Sequence, residues 1–171
     1  MFRLFKKIAE KDEPITTDLY AITEGNLKNV SAVEDEVFSA KIMGNGYAIV
    51  PPATEEGCEV YSPVTGVVTM VFPTKHAVGI RMKNDLDILV HFGIDTVEME
   101  GRPFEIFVKM DDEVTPQTKI ATIDLMQLRQ AHKITDLIVV CTSTKKVESM
   151  TLSTAEKVRT HEVVGSVRAK R

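Results

Sequence analysis

The chain has 171 residues, of which 43% are hydrophobic and 27% charged, and this composition is typical of one globular domain with a real core. The formal net charge of -4 lacks the basic surplus of a nucleic-acid-binding protein. No apolar run approaches the length of a membrane span. Cys58 and Cys141 can form one bridge at most. We therefore expect two ordinary thiols in a reduced, cytoplasmic protein that binds no nucleic acid.

The N-terminal segment differs from the rest of the chain. Its apolar residues Phe2, Leu4, Phe5 and Ile8 alternate with basic ones, so as a helix it would be amphipathic. Such a segment can contact an anionic membrane surface weakly, although a frayed tail is the simpler interpretation. We expect residues 1–17 to be tail and linker, residues 18–168 one domain, and residues 169–171 a C-terminal tail.

Short runs rich in β-forming residues make up most of the remaining chain, separated by turn residues such as Pro51-Pro52 and Lys83-Asn84-Asp85. We predict strands at residues 47–50, 67–71, 77–82, 88–92, 119–123, 137–140 and 163–167. Many short strands at close spacing indicate a mainly β protein, an antiparallel sandwich or barrel with few short helices. One helix is predicted at residues 125–133, with Asp124 as its N-cap and His132 in its last turn.

A weak internal repeat accompanies this pattern. Residues 20–25 (YAITEG) resemble residues 61–66 (YSPVTG), with an aromatic residue and, five positions later, a glycine. The two copies predict a duplicated half-motif within the sandwich and are too few for a solenoid.

His91 closes the apolar run at residues 86–92, and strand alternation places it on the face of Leu89. Taken alone, such a histidine is more often a hydrogen-bonded core residue. The turn at residues 83–85, however, predicts a hairpin that brings His91 opposite Ala77 and next to His76. Asp95 comes after a glycine turn that can direct it back toward the same rim.

Two imidazoles at one rim suit phosphoryl transfer. A neutral imidazole is a nucleophile that can hold a labile phosphoryl group, while a second imidazole can donate an N–H to the phosphoryl oxygens. No glycine-rich nucleotide loop is present, so the phosphoryl donor need not be a nucleotide.

Four blocks resemble the glucose-type enzyme IIA components of the bacterial phosphoenolpyruvate:sugar phosphotransferase system. They are residues 37–46 (VFSAKIMGNG), 62–66 (SPVTG), 72–77 (FPTKHA) and 89–97 (LVHFGIDTV). The resemblance covers nearly all of residues 35–167, and four blocks in the right order are more specific than any one. It implies an antiparallel β-sandwich and a phosphotransferase component of sugar transport.

The resemblance also implies roles for individual residues. His91 matches the histidine that accepts a phosphoryl group from the phosphocarrier protein HPr, as a tele-phosphohistidine, and passes it to a cysteine of a sugar-specific IIB domain. His76 matches the residue that stabilises this group, Thr74 the hydroxyl that orients His76, and Asp95 an acidic residue at the edge of the site. The family's apolar docking rim falls on Val37, Phe38, Met43, Phe72 and Leu89. No cofactor is required, and we expect a monomer.

Two alternatives come from other classes. His91 and Asp95 form the H-x-x-x-D spacing of lysostaphin-like zinc hydrolases, but the H-x-H pair of those enzymes is missing. His76 and His91 could still bind zinc together with a carboxylate from a partner. Residues 112–120 resemble part of a lipoyl- or biotinyl-carrier domain. Such a domain presents a lysine at a hairpin tip, and Lys41 is the only, poor candidate for it. A plain sandwich hairpin is therefore the preferred interpretation of residues 112–120. The acidic residues 34–36 would favour a basic partner if they flank the rim.

Overall fold

The computed structural model describes residues 15–171, and the amphipathic N-terminal segment lies outside the described residues. The strands are β1 (Thr16–Tyr20), β2 (Gly25–Asn29), β3 (Asn45–Val50), β4 (Gly57–Tyr61), β5 (Gly66–Val71), β6 (Ala77–Met82), β7 (Asp87–Phe92), β8 (Phe104–Ile106), β9 (Glu113–Val114), β10 (Lys119–Asp124), β11 (Leu137–Cys141), β12 (Val147–Leu152), β13 (Lys157–Val158) and β14 (Val163–Ala169). Two short α-helices, α1 (Glu36–Ser39) and α2 (Leu125–Gln130), accompany them, with 3-10 turns at Val30–Ala32, Thr96–Met99 and Thr144–Lys146.

The strands form one large antiparallel sheet and two small ones. The large sheet has the order β13-β2-β3-β11-β7-β6-β5-β9, and the small sheets have the orders β1-β14-β12 and β4-β10-β8. Both faces of β7 are buried: Val90 and Phe92 belong to the main core, and Leu89 to a second cluster with Phe38 and Ile138. The predicted mainly β, antiparallel fold is confirmed. No helix within residues 15–171 is long and apolar enough to cross a membrane.

The duplicated half-motif is visible in the backbone. β1 and β2 are joined by four residues, as are β4 and β5, and the two units exchange equivalent hydrogen bonds. The N–H of Tyr20 donates to the carbonyl of Pro63 (3.0 Å), and the N–H of Tyr61 donates to that of Ile22 (2.9 Å). The two donors, Tyr20 and Tyr61, are 41 residues apart in the chain, and so are the two acceptors, Ile22 and Pro63. The bonds are therefore reciprocal, and the two units are related by an approximate two-fold axis.

The seven predicted strands are all present, but seven others were missed: β1, β2, β4, β8, β9, β12 and β13. Most of these lie at sheet edges or have only two or three residues, so their side chains do not repeat a clear apolar pattern. The predicted hairpin at residues 112–120 is wrong, because β9 pairs with β5 while β10 pairs with β4 and β8.

The predicted helix begins where expected but ends early. Asp124 caps α2 by accepting from the N–H of Gln127 at 3.1 Å. The helix ends at Gln130, because His132 has a left-handed backbone with φ of 58° and Lys133 donates back to the carbonyl of Leu128. His132 therefore lies beyond the helix, not in its last turn. Cys58 on β4 and Cys141 on β11 are free thiols, as expected.

Candidate functional site

The hairpin of β6 and β7 brings the two histidines together. Its turn is closed by bonds from the N–H of Asp85 to the carbonyl of Met82 and from the N–H of Leu86 to the side chain of Asn84. In the resulting register Ala77 pairs with His91, as predicted. The ring centroids of His76 and His91 lie 5.2 Å apart, with the rings nearly perpendicular.

His91 has a defined tautomer. Its Nδ1 lies 2.7 Å from the carbonyl oxygen of Gly93, and because a carbonyl only accepts, Nδ1 carries the proton. The Nε2 atom therefore keeps its lone pair. Burial lowers the pKa of His91 to about 4. The hydrogen bond to Gly93 and the charges of Asp35 and Asp95 raise the pKa, but by less than burial lowers it. The imidazole is thus neutral at pH 7 and nucleophilic at Nε2.

His76 is held by the loop at residues 72–76. The loop is closed by bonds from Phe72 N–H to the Ala77 carbonyl and from Lys75 N–H to the Phe72 carbonyl. The hydroxyl of Thr74 lies 2.6 Å from Nδ1 of His76. This contact occupies Nδ1 and leaves Nε2 as the other ring nitrogen of His76. Burial also lowers the pKa of His76, so both imidazoles are neutral at pH 7.

Both histidines line a shallow concavity of about 320 Å³. All the residues predicted for the site line it except Thr74, whose hydroxyl contacts His76 instead. Val37 and Met43 are exposed at its margin, whereas Phe38 and Leu89 are 7% and 8% exposed and form its floor. Phe38 packs edge-on against His91 and Phe72 against His76, with centroids 5.1 and 5.2 Å apart. The predicted apolar rim is therefore partly the floor of the concavity.

Asp95 is an exposed residue with a left-handed backbone, with φ of 57°, and it starts the 3-10 turn Thr96–Met99 without capping it by its side chain. Asp35 also lines the concavity, where its carboxylate caps α1 by accepting from the N–H groups of Val37 and Phe38. Two carboxylates therefore flank the imidazoles.

Sequence reasoning missed three residues that line the concavity next to Asp95: Ile94, Thr96 and Val97. Thr96 is fully buried, and its hydroxyl donates to the carbonyl of Phe92 at 2.6 Å. They adjoin Asp95 in the chain, so the turn that carries Asp95 was the signal that could have identified them. Across residues 15–171 no group of three or more His, Cys, Asp or Glu side chains is placed to hold a metal ion.

His161 does not share the site. The charged residues around it in the sequence predict a merely solvated side chain, and this prediction is wrong. His161 is half-buried, its Nδ1 lies 2.9 Å from the carbonyl of Pro116, and its ring packs on Tyr61 with centroids 4.5 Å apart.

Comparison with known proteins gives consistent matches. The family described as "phosphoenolpyruvate-dependent sugar phosphotransferase system, EIIA 1" matches residues 17–147. A glucose-specific EIIA component of Staphylococcus epidermidis is 36% identical over 91% of this chain and 90% of its own length. A solved structure, the glucose permease IIA of Mycoplasma capricolum, superposes with a TM-score of 0.78 at 32% identity, covering 89% of this chain and 96% of that one.

Longer relatives match as well. A glucose-specific EIICBA component of Streptococcus pneumoniae is 37% identical over 81% of this chain, which spans only 18% of that protein. These matches do not support the zinc-hydrolase alternative, and they support a phosphoryl-carrier role in sugar uptake. The chain belongs to the EIIA 1 family of the phosphoenolpyruvate-dependent sugar phosphotransferase system.

Proposed function

We propose that His91 accepts a phosphoryl group at Nε2 from phospho-HPr and passes it to the cysteine of a sugar-specific IIB domain. The observation that carries this proposal is the bond between Nδ1 of His91 and the carbonyl of Gly93, which leaves Nε2 as the free nucleophile in the concavity. In the forward step Nε2 forms a bond to phosphorus as the N–P bond of phospho-HPr breaks. In the second step the thiolate of the IIB cysteine forms a bond to phosphorus as the bond between phosphorus and Nε2 of His91 breaks.

His76 stabilises the transferred group in this proposal. When the hydroxyl of Thr74 donates to Nδ1, Nε2 of His76 carries a proton that can be donated to a phosphoryl oxygen. His91 and His76 are neutral before transfer, so the incoming dianion meets no positive charge on either imidazole and is held there by hydrogen bonds. Weak binding of this kind suits a group that must leave again.

The docking surface is the margin of the concavity. Val37 and Met43, with Phe38, Phe72 and Leu89 beneath and beside them, offer an apolar surface that excludes water when a partner docks. Asp35 and Asp95 flank it, which favours partners with a basic rim. We take HPr and the IIB domain as these partners, and we propose a cytoplasmic monomer whose functional domain is residues 18–168. The N-terminal segment would add at most a weak membrane contact.

Zinc binding is a separate proposal. Both Nδ1 atoms are engaged, so His76 and His91 could offer their two Nε2 atoms, and a carboxylate from a partner would be needed to extend this ligand set. No step of phosphoryl transfer requires the metal.

The test uses the full chain with phosphoenolpyruvate, enzyme I and HPr. We expect an acid-labile, base-stable phosphate on the wild type and none on His91→Gln. The matched control is His161→Gln, because His161 has the same Nδ1-to-carbonyl bond outside the concavity. Phosphate incorporation by His91→Gln, or its loss in His161→Gln, would contradict the assignment.

A further inference from the structure

An ion pair lies on the large sheet near the site. Nζ of Lys28 on β2 is 2.7 Å from Oδ2 of Asp136, and the two side chains are 29% and 5% exposed. Lys28 pairs with Ala48 on β3, which in turn pairs with Ile138 on β11, so the lysine must extend across the intervening strand. The small side chain of Ala48 leaves room for this path.

Asp136 depends on this partner. Its Oδ2 is buried and accepts no hydrogen bond of good geometry from residues 15–171, so the close contact with Lys28 compensates it by charge. Asp136 also immediately precedes β11, where the strand ladder with β7 ends at the pair of Leu137 and Phe92. A nearly buried carboxylate without a cation is costly, so the lysine determines whether Asp136 can stay in this position.

The backbone of the same segment supports the turn after β7. The N–H of Gly93 donates to the carbonyl of Asp136 at 2.9 Å, and the N–H of Ile94 donates to that of Ile134 at 3.1 Å. Gly93 has φ of 78°, and a Cβ there would lie 3.0 Å from the Ile134 carbonyl oxygen, so the two segments pack closely. The carbonyl of Gly93 is the group that accepts the Nδ1 proton of His91.

We propose that Lys28 and Asp136 are positioning residues for His91. Their ion pair holds Asp136 against Gly93, and Gly93 in turn keeps the proton of His91 on Nδ1 and the lone pair on Nε2. Both act through Gly93 and take no part in the transfer itself. The inference rests on the proposed function only for its effect on transfer, because the tautomer of His91 is a property of the unphosphorylated protein.

The test is the Lys28→Met variant, read by ¹⁵N chemical shifts of the His91 ring in the unphosphorylated full chain. We expect wild-type His91 to be protonated at Nδ1 and the variant to populate the Nε2-protonated tautomer as well. The rate of acceptance from phospho-HPr should fall about three- to tenfold, since small misplacements of a reacting group are costly. Lys28→Arg keeps the charge and should restore both readouts.

Arg168→Met is the matched control. It breaks an ion pair of similar length, 2.8 Å between Arg168 Nε and Glu148, on a different sheet. It should leave the tautomer and the acceptance rate unchanged. If Lys28→Met unfolds, Asp136→Asn provides the same measurement, because the freed Lys28 can reach water and the amide keeps the shape of the carboxylate.

The outcomes are separable. A wild-type tautomer and rate in folded Lys28→Met or Asp136→Asn would overturn the positioning role, even if the melting temperature falls. Equal changes in Arg168→Met would also overturn it, by showing a general stability effect. If wild-type protein is never phosphorylated, the proposed function fails, while the tautomer measurement still decides the positioning role.

Discussion

The two copies of the half-motif share a scaffold but differ in the connection that leaves it. After β2 of the first copy, residues 30–44 form a long connection with a 3-10 turn and α1, which supplies Phe38 to the floor of the concavity. After β5 of the second copy, only residues 72–76 intervene, and they carry Thr74 and His76. The repeated strands thus provide the frame, while the unlike connections bring Phe38 and His76 against His91 of β7.

The short connection should matter most for chemistry. In the proposed mechanism His76→Gln removes the ring N–H that would donate to the phosphoryl group, and loss of one such donor typically costs about 10²–10³-fold in rate. We expect acceptance from phospho-HPr to persist and transfer to the IIB cysteine to fall by this amount, measured by rapid-quench kinetics of each half-reaction. Thr74→Val should have a smaller effect in the same direction, because it only frees the ring. Equal loss of both half-reactions would show that His76 is structural or is itself the acceptor.

Burial of His91 by both connections makes stability depend on pH. Its pKa is about 4 when folded and 6.5 when unfolded, so between these values the unfolded chain binds the extra proton. Stability due to this group is therefore complete above pH 6.5 and is lost as the pH falls toward 4, by up to about 3 kcal/mol. Denaturant unfolding of the wild type and of His91→Gln should show a flatter pH profile for the variant. Identical profiles would mean that other groups control the acid limb.

The equivalence of the two copies can be broken at their glycines. A Cβ at Gly25 would lie 2.3 Å from the carbonyl oxygen of Val50, and one at Gly66 would lie 2.2 Å from that of Arg81. We expect Gly25→Ala and Gly66→Ala each to lower the unfolding free energy by about 1–3 kcal/mol. The two losses should be similar. Gly57→Ala is the control, since its nearest contact would be 3.1 Å. A large loss at only one of the two positions would show that the copies contribute unequally to stability.

The long connection should have a smaller effect, on the pKa of His91. Phe38→Ala removes the ring that packs on His91, admits water and should raise the pKa of His91 by about one unit. An NMR titration of the His91 ring measures this change directly. Val37→Ala, in the same helix but 44% exposed, should leave the pKa where it is. An unchanged pKa in Phe38→Ala would assign the desolvation of His91 to the sheet alone.

The parts of the molecule that depend on local pattern were predictable. The turn at residues 83–85 determined the register of Ala77 and His91, and Asp124 marked the start of α2. Helix α1 was missed because four residues cannot show a helical period, although Asp35 is a standard cap. Whether Phe38 is floor or rim depends on how residues 30–44 fold over β7. The contact between Lys28 and Asp136 depends on the order of strands in the large sheet, which local pattern does not encode.

The apolar concavity also bears on the energy of the phosphorylated state. A phosphoryl group on Nε2 would bring close to two negative charges into a site lined by Phe38, Leu89 and Ile94 and flanked by Asp35 and Asp95. Poor solvation and like-charge repulsion raise the free energy of that state relative to a phosphohistidine in water. The fold would thereby keep the group-transfer potential of the phosphorylated His91 high. Transfer from phospho-HPr to His91, and from His91 to the IIB cysteine, would then run close to equilibrium in either direction.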